Sequence, residues 1–151
     1  MDKFNKSMMV YPNLIYFPSA DMQKLLTIKI LRIIKDVNFT RIDFIEYPNK
    51  KCNDFGWSNV KDEMFIRDNK NEEKLKLIRA VNIPIAPKKH FFKNEDDCHV
   101  FSLYFPRLLP KVYAIDIIES EDSKDRKDYN FYGVDLTKLN VPYGRNKLNE
   151  Q

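Results

Sequence analysis

At 151 residues, 43% hydrophobic and 32% charged, the chain has the size of one domain, residues 1–151, and it is too apolar for a disordered chain and too charged for a membrane protein. Its 26 Lys and Arg against 22 Asp and Glu leave a net charge of only +4, a weaker excess than nucleic-acid proteins usually carry. Its three glycines, Gly56, Gly133 and Gly144, are scattered, which excludes phosphate-cradling loops and a G-x-S-x-G nucleophile elbow.

The first patterned segment, residues 8–17, is apolar and aromatic and contains Pro12, so it reads as an extended or edge strand. Ser19 is a good N-cap, and Met22, Leu25, Leu26, Ile30, Ile33, Ile34 and Val37 then recur at helical spacing with Lys24, Lys29, Arg32 and Lys35 between them. This predicts a long amphipathic helix. Residues 40–47 follow as a strand, with Ile42, Phe44 and Ile45 apolar, and 48–58 as a loop rich in Pro, Asn, Asp and Gly. Residues 60–67 fit helix or strand. Residues 72–81 suit a short second helix, opened by Glu72 and Glu73, although Leu75, Leu77, Val81, Ile83 and Ile85 also alternate as in a strand. Pro84 and Pro87 stop any helix there.

The C-terminal third alternates with period two. Residues 99–105 place His99, Phe101, Leu103 and Phe105 on one face, and residues 111–119 and 129–136 supply two further strands. The expected fold is therefore α+β, an antiparallel β-meander packed by one long N-terminal helix and a short second one, with a frayed polar tail from about residue 143.

No catalytic constellation can be assembled. Cys52, Cys98, His90 and His99 lack metal-ligand spacing, so no metal and no cofactor is expected, and the bland reading makes both cysteines buried thiols. The acids of the strands, Asp43, Glu46, Asp116 and Glu119, read as solvated charges at strand ends, since no E-x-K triplet follows them. His90 and His99 suit a metal-independent ribonuclease only if they flank one phosphate, with Lys88 or Lys89 stabilising the transition state.

Two features remain. Phe55-Gly56-Trp57 puts the only tryptophan in a polar loop, which suits a partner-binding anchor or a loop tucked into the core. Lys88, Lys89, Phe91, Phe92 and Lys93, around His90, interleave cations and rings as a single-strand nucleic-acid groove does, or as a turn with inward phenylalanines does. Lys50, Lys51, Arg107 and Lys111 extend that charge if they lie nearby. The leading expectation is a non-enzymatic binding protein of the inhibitor, immunity or viral and phage accessory type, which masks a protein partner through Phe55 and Trp57. Nucleic-acid binding through residues 88–93 is the alternative, and a His-dependent ribonuclease the second. The first ten residues hold no signal-like apolar run, and no stretch of about 18 apolar residues occurs, so a cytoplasmic location with reduced cysteines and no membrane contact is expected.

Overall fold

The computed structural model describes residues 13–16, 22–23, 27–48, 55–121 and 129–137, and these contain no helix. One five-stranded antiparallel sheet runs in the order β1 (Asn13–Tyr16), β3 (Ile28–Asp36), β4 (Thr40–Glu46), β10 (His99–Phe105), β8 (Arg79–Val81). A second runs β2 (Met22–Gln23), β12 (Phe131–Asp135), β11 (Ala114–Ile118), β6 (Phe65–Asp68), β7 (Leu75–Lys76). A two-stranded ribbon pairs β5 (Trp57–Ser58) with β9 (His90–Phe91).

The α+β expectation is thus overturned: the fold is all-β over the described residues. The segment read as a long helix is β2, a connection and the nine-residue β3. Two causes combine. Ile28, Ile30, Ile33 and Ile34 are β-branched, and their stiff χ1 suits a pleated surface better than a helix. In addition, the β3–β4 register shifts between Ile30 and Arg32. That bulge puts Ile28, Ile30, Ile33 and Lys35 on one side of the strand, so spacing three appears inside a strand and imitates a helical stripe. The second expected helix is likewise two short strands, β7 and β8, which belong to different sheets.

The meander is corrected too. The strand at 99–105 forms where alternation places it, and β11 and β12 lie within the other two segments. However, β10 pairs with β4 and β8, whereas β11 pairs with β12 and β6. The chain between β10 and β11 therefore crosses from one sheet to the other. Thr40 and Lys35 hold that crossing: Thr40 Oγ1 donates to Pro106 O and accepts from Leu108 N, both at 3.0 Å, and Lys35 Nζ donates to Val112 O at 2.8 Å. Lys35 is buried and lies over the Tyr16 ring, and desolvation lowers its pKa, partly offset by Asp68.

The inner faces of the two sheets share one hydrophobic core. Ile33, Ile42, Phe44, Leu103 and Phe105 from the first meet Ile66, Ile115, Ile117, Phe131 and Val134 from the second, all essentially inaccessible. Phe44 stacks on Phe101 within its sheet and touches Phe131 across the core, ring centres 5.8 Å apart. Non-directional burial of these rings and isoleucines is the main favourable term. Where β12 meets β11 the register slips, and Gly133 takes the positive φ of 62° that the slip requires. No helix of the described residues is long and apolar enough to cross a membrane. The expected tail after 143, Cys52, Lys50, Lys51 and most of the 8–17 segment lie outside the described residues; its remainder, β1, is an edge strand.

Candidate binding site

The two features that stood 30 residues apart in the sequence form one object. Trp57 and Phe91 are directly opposed in the β5–β9 ribbon, and so are Ser58 and His90. Side chains alternate across a strand, so the ribbon has two unlike faces. Trp57 and Phe91 point outward at 40% and 58% exposure, while Ser58 is 1% exposed and His90 is half-buried.

The outward face is aromatic and charged. Lys89 Nζ stands 4.3 Å from the centre of the Trp57 ring, a cation–π contact. Lys88, Lys89 and Lys93 are exposed, and so are Glu95 and Asp96 in the turn that follows. Asp97 caps that turn by accepting from Lys93 N at 2.9 Å. The ribbon is entered through Phe55 and Gly56, both at positive φ, 59° and 82°. Phe55 is half-buried. Phe92 is 5% exposed and sets its edge against His90. The alternative expectations for this run therefore divide: Phe92 points inward, Phe91 outward. Arg107 is exposed, and Lys111 lines a cavity of about 350 Å³ bounded by Asp68, Lys70, Tyr113, Asp135 and Thr137.

The inward face is a polar anchor. Beneath Ser58 and His90 lie Glu46 and His99, which are themselves opposed across β4 and β10. Ser58 Oγ donates to Glu46 Oε1 at 2.5 Å, and His90 stacks on His99 with ring centres 4.1 Å apart. One cross-strand pair is thus seated on another. Tyr129 completes the cluster: its hydroxyl lies 2.6 Å from Glu46 Oε1 and 2.6 Å from Ser58 Oγ. Glu119 holds Tyr129 there, accepting from Tyr129 N at 2.9 Å while its other oxygen accepts from Lys61 N at 3.0 Å.

Three oxygens make three short contacts, but the two hydroxyls supply two protons. A proton on Glu46 would supply the third and close a ring in which each oxygen donates once and accepts once; with Glu46 ionised, both hydroxyls donate to Oε1. Burial pushes the Glu46 carboxyl up, against the two hydroxyl bonds that pull it down. Burial and the Glu46 charge together push the Tyr129 phenol far above its usual range. His99 moves the other way: desolvation, then His90, lower its pKa, opposed by the Asn82 backbone and Asp97. The Nε2 atoms of His90 and His99 are both buried without a hydrogen-bond partner.

This geometry bears on the chemistry. The stacked imidazoles leave no gap for a phosphate between them, so the flanking arrangement of a two-histidine ribonuclease is not formed. Ser58 Oγ is engaged by Glu46 and Tyr129, and no hydrogen bond ties it to an imidazole. Among the described residues, no three His, Cys, Asp or Glu side chains are grouped as metal ligands. Cys98 is exposed and unpaired and is not the buried thiol expected.

The sequence reading missed the acids. Asp43, Glu46, Asp116 and Glu119 are all buried, at 1%, 5%, 8% and 3% exposure, and not solvated. The available signal was their position: each stands inside or beside a run of isoleucine and phenylalanine, where a solvated charge has no room. No family model, no curated protein and no solved structure matches this chain.

Proposed function

We propose that this is a non-enzymatic binding protein that docks a protein partner on the outward face of the β5–β9 ribbon and acts by steric masking. The observation that carries the reading is the exposed Trp57–Phe91 cross-strand pair held on a buried polar anchor. Large rings ordered before contact lose little conformational freedom on binding, and tryptophan is enriched at interface hot spots. The rim supports a protein over a polyanion at this face. Lys88, Lys89 and Lys93 are followed by Glu95, Asp96 and Asp97, so the ring of charge around the aromatics is mixed, as in protein interfaces with an apolar centre and a polar edge. Phe55, half-buried at the entry of the ribbon, adjoins this surface. The exposed free thiol of Cys98 suits a reducing compartment, and we place the activity in the cytoplasm.

Affinity capture from the native source, with wild type beside Trp57→Ala and Phe91→Ala, tests this. The expected result is a protein partner that survives nuclease treatment and is lost at least about tenfold in either variant, with unchanged melting. Equal capture by all three proteins would sink the reading. A partner released by nuclease moves the ribbon to the nucleic-acid alternative.

A further inference from the structure

The outer face of the first sheet carries a second pattern, independent of the ribbon. Its registers place side chains in rows across the strands. Arg79, Tyr104, Arg41 and Ile34 form one row, Val81, Ser102, Asp43 and Arg32 the next, and Val100, Ile45 and Lys29 the third. Tyr47 follows β4 on the same face, 38% exposed, with Lys29 Nζ 6.0 Å from its ring. Three of the chain's seven arginines therefore share one sheet face.

The charge on this face is one-sided. Asp43, the acid within these rows, is 1% exposed and lies under two guanidinium groups: Arg32 Nε is 2.6 Å from Oδ2 and Arg41 Nε is 2.8 Å from Oδ1. It neutralises part of the cationic charge without showing an acid to solvent. Lys29 and Arg79 are exposed, and neither makes an ion pair among the described residues. Four cations against Asp43 leave three net positive charges; Asp36, at the hairpin end, lowers this by one. Two tyrosines stand on the face, each beside a cation: Tyr104, half-buried, with Arg41 Cζ 5.9 Å from its ring and Phe39 in T-shaped contact at 5.2 Å, and exposed Tyr47 with Lys29. Along β4 these two stations stand about 20 Å apart at the strand rise of ~3.4 Å per residue.

We infer that this sheet face binds single-stranded nucleic acid, its backbone running along β4 between the Arg79–Tyr104–Arg41 row and the Lys29–Tyr47 pair. Cations in line meet successive phosphates, and every base offers a π-face to a tyrosine whatever its identity. A double helix is less suited, because its bases are not free to stack on a sheet. The rings distinguish this occupant from an acidic protein, for which charge alone would suffice. With the ribbon left clear, the chain can hold a protein and a nucleic-acid strand together, but this assignment does not depend on the ribbon reading.

The test uses the full chain and fluorescein-labelled oligo(dT) of about a dozen nucleotides, titrated across a range of salt by anisotropy. Binding is expected to weaken steeply with salt. Arg79→Glu with Lys29→Glu is expected to lower affinity at least about tenfold and to flatten the salt slope, by ~0.7 for each phosphate no longer neutralised. Tyr47→Leu is expected to lower affinity about fivefold with the slope unchanged. Lys29, Tyr47 and Arg79 are all exposed, and melting curves confirm that the variants fold; Arg79→Ala with Lys29→Ala repeats the test without reversed charge. Trp57→Ala is expected to leave oligonucleotide affinity unchanged. Absence of binding at low salt, equal binding by the charge variants, loss in Trp57→Ala alone, or poly-L-glutamate binding as tightly as oligo(dT) would each overturn the inference.

Discussion

Asp43 and Glu46 stand three residues apart on β4, both buried, on opposite faces of one sheet, and the fold meets their charge in different ways. Outside, Asp43 accepts from Arg41 and from Ser102 Oγ, the latter at 2.6 Å, and also faces Arg32. Inside, Glu46 meets two hydroxyls and, among the described residues, no cation. A buried charge is tolerated when it is paired and hydrogen-bonded, and otherwise shifts toward its neutral form. The outer carboxylate thus organises a cationic surface. The inner one is a hydroxyl-bonded joint that fastens the ribbon.

Substitutions can break this contrast. The largest effect is expected from Glu46→Ala, which strands the buried hydroxyls of Ser58 and Tyr129. Urea unfolding should show a loss of about 3 kcal/mol, since each unsatisfied buried donor costs ~1–3 kcal/mol. Asp43→Asn should cost about 2 kcal/mol: two charge-assisted contacts weaken, but the arginines are partly exposed and solvent screens what remains. Glu46→Gln, an isostere of similar shape without the charge, should change stability by no more than about 1 kcal/mol. Equal losses for Asp43→Asn and Glu46→Gln would show that the two carboxylates are held alike and would dissolve the comparison.

Melting temperature against pH sharpens it further. The Glu46 pKa is raised by burial, so in the folded state the group holds its proton more tightly. Its stabilising contribution is complete below the ordinary carboxylate value of about 4.3 and is lost as pH rises through the raised value. The His99 pKa is lowered by burial and by His90. Its contribution is complete above the ordinary imidazole value of about 6.5 and is lost as pH falls through the lowered value. The two neighbours therefore erode stability from opposite sides. Glu46→Gln should remove the loss on the alkaline side and leave the acid side. His99→Gln should flatten the acid side, although His90 and Asp97 act on the same group. A pH profile unchanged in Glu46→Gln would show that the carboxyl is not protonated in the fold. The smallest effect concerns the ribbon's entry. Phe55 sits at a φ of 59°, a region that costs a non-glycine residue about 1 kcal/mol; Phe55→Gly should recover a few tenths of this net of lost packing, read by urea unfolding.

Much of the fold was legible where period-two alternation ran clean. In 99–105 the buried face is His99, Phe101, Leu103 and Phe105, as alternation requires, and 40–47 contains β4. Legibility failed at β3, because a bulge adds one residue and converts alternation into a spacing of three. It failed again at 72–81, where two strands of two and three residues are too short for any period to show. The candidate site was half legible. Trp57 and the 88–93 run stand out separately, on composition. That Trp57 faces Phe91, and that Ser58 and His90 sit on Glu46 and His99, depends on pairings between residues far apart in the chain.

By itself the sequence determined which side chains seek burial, which segments favour extended backbone, and that no glycine-rich phosphate loop exists, because each of these follows from local composition. Only the tertiary structure decided that the described residues form strands and no helix, that four acids are buried, and that one face of β4 is cationic while the other is anchored by buried hydroxyls. Those outcomes are set by contacts across strands, whose free energy outweighs local propensity and whose register no local pattern encodes.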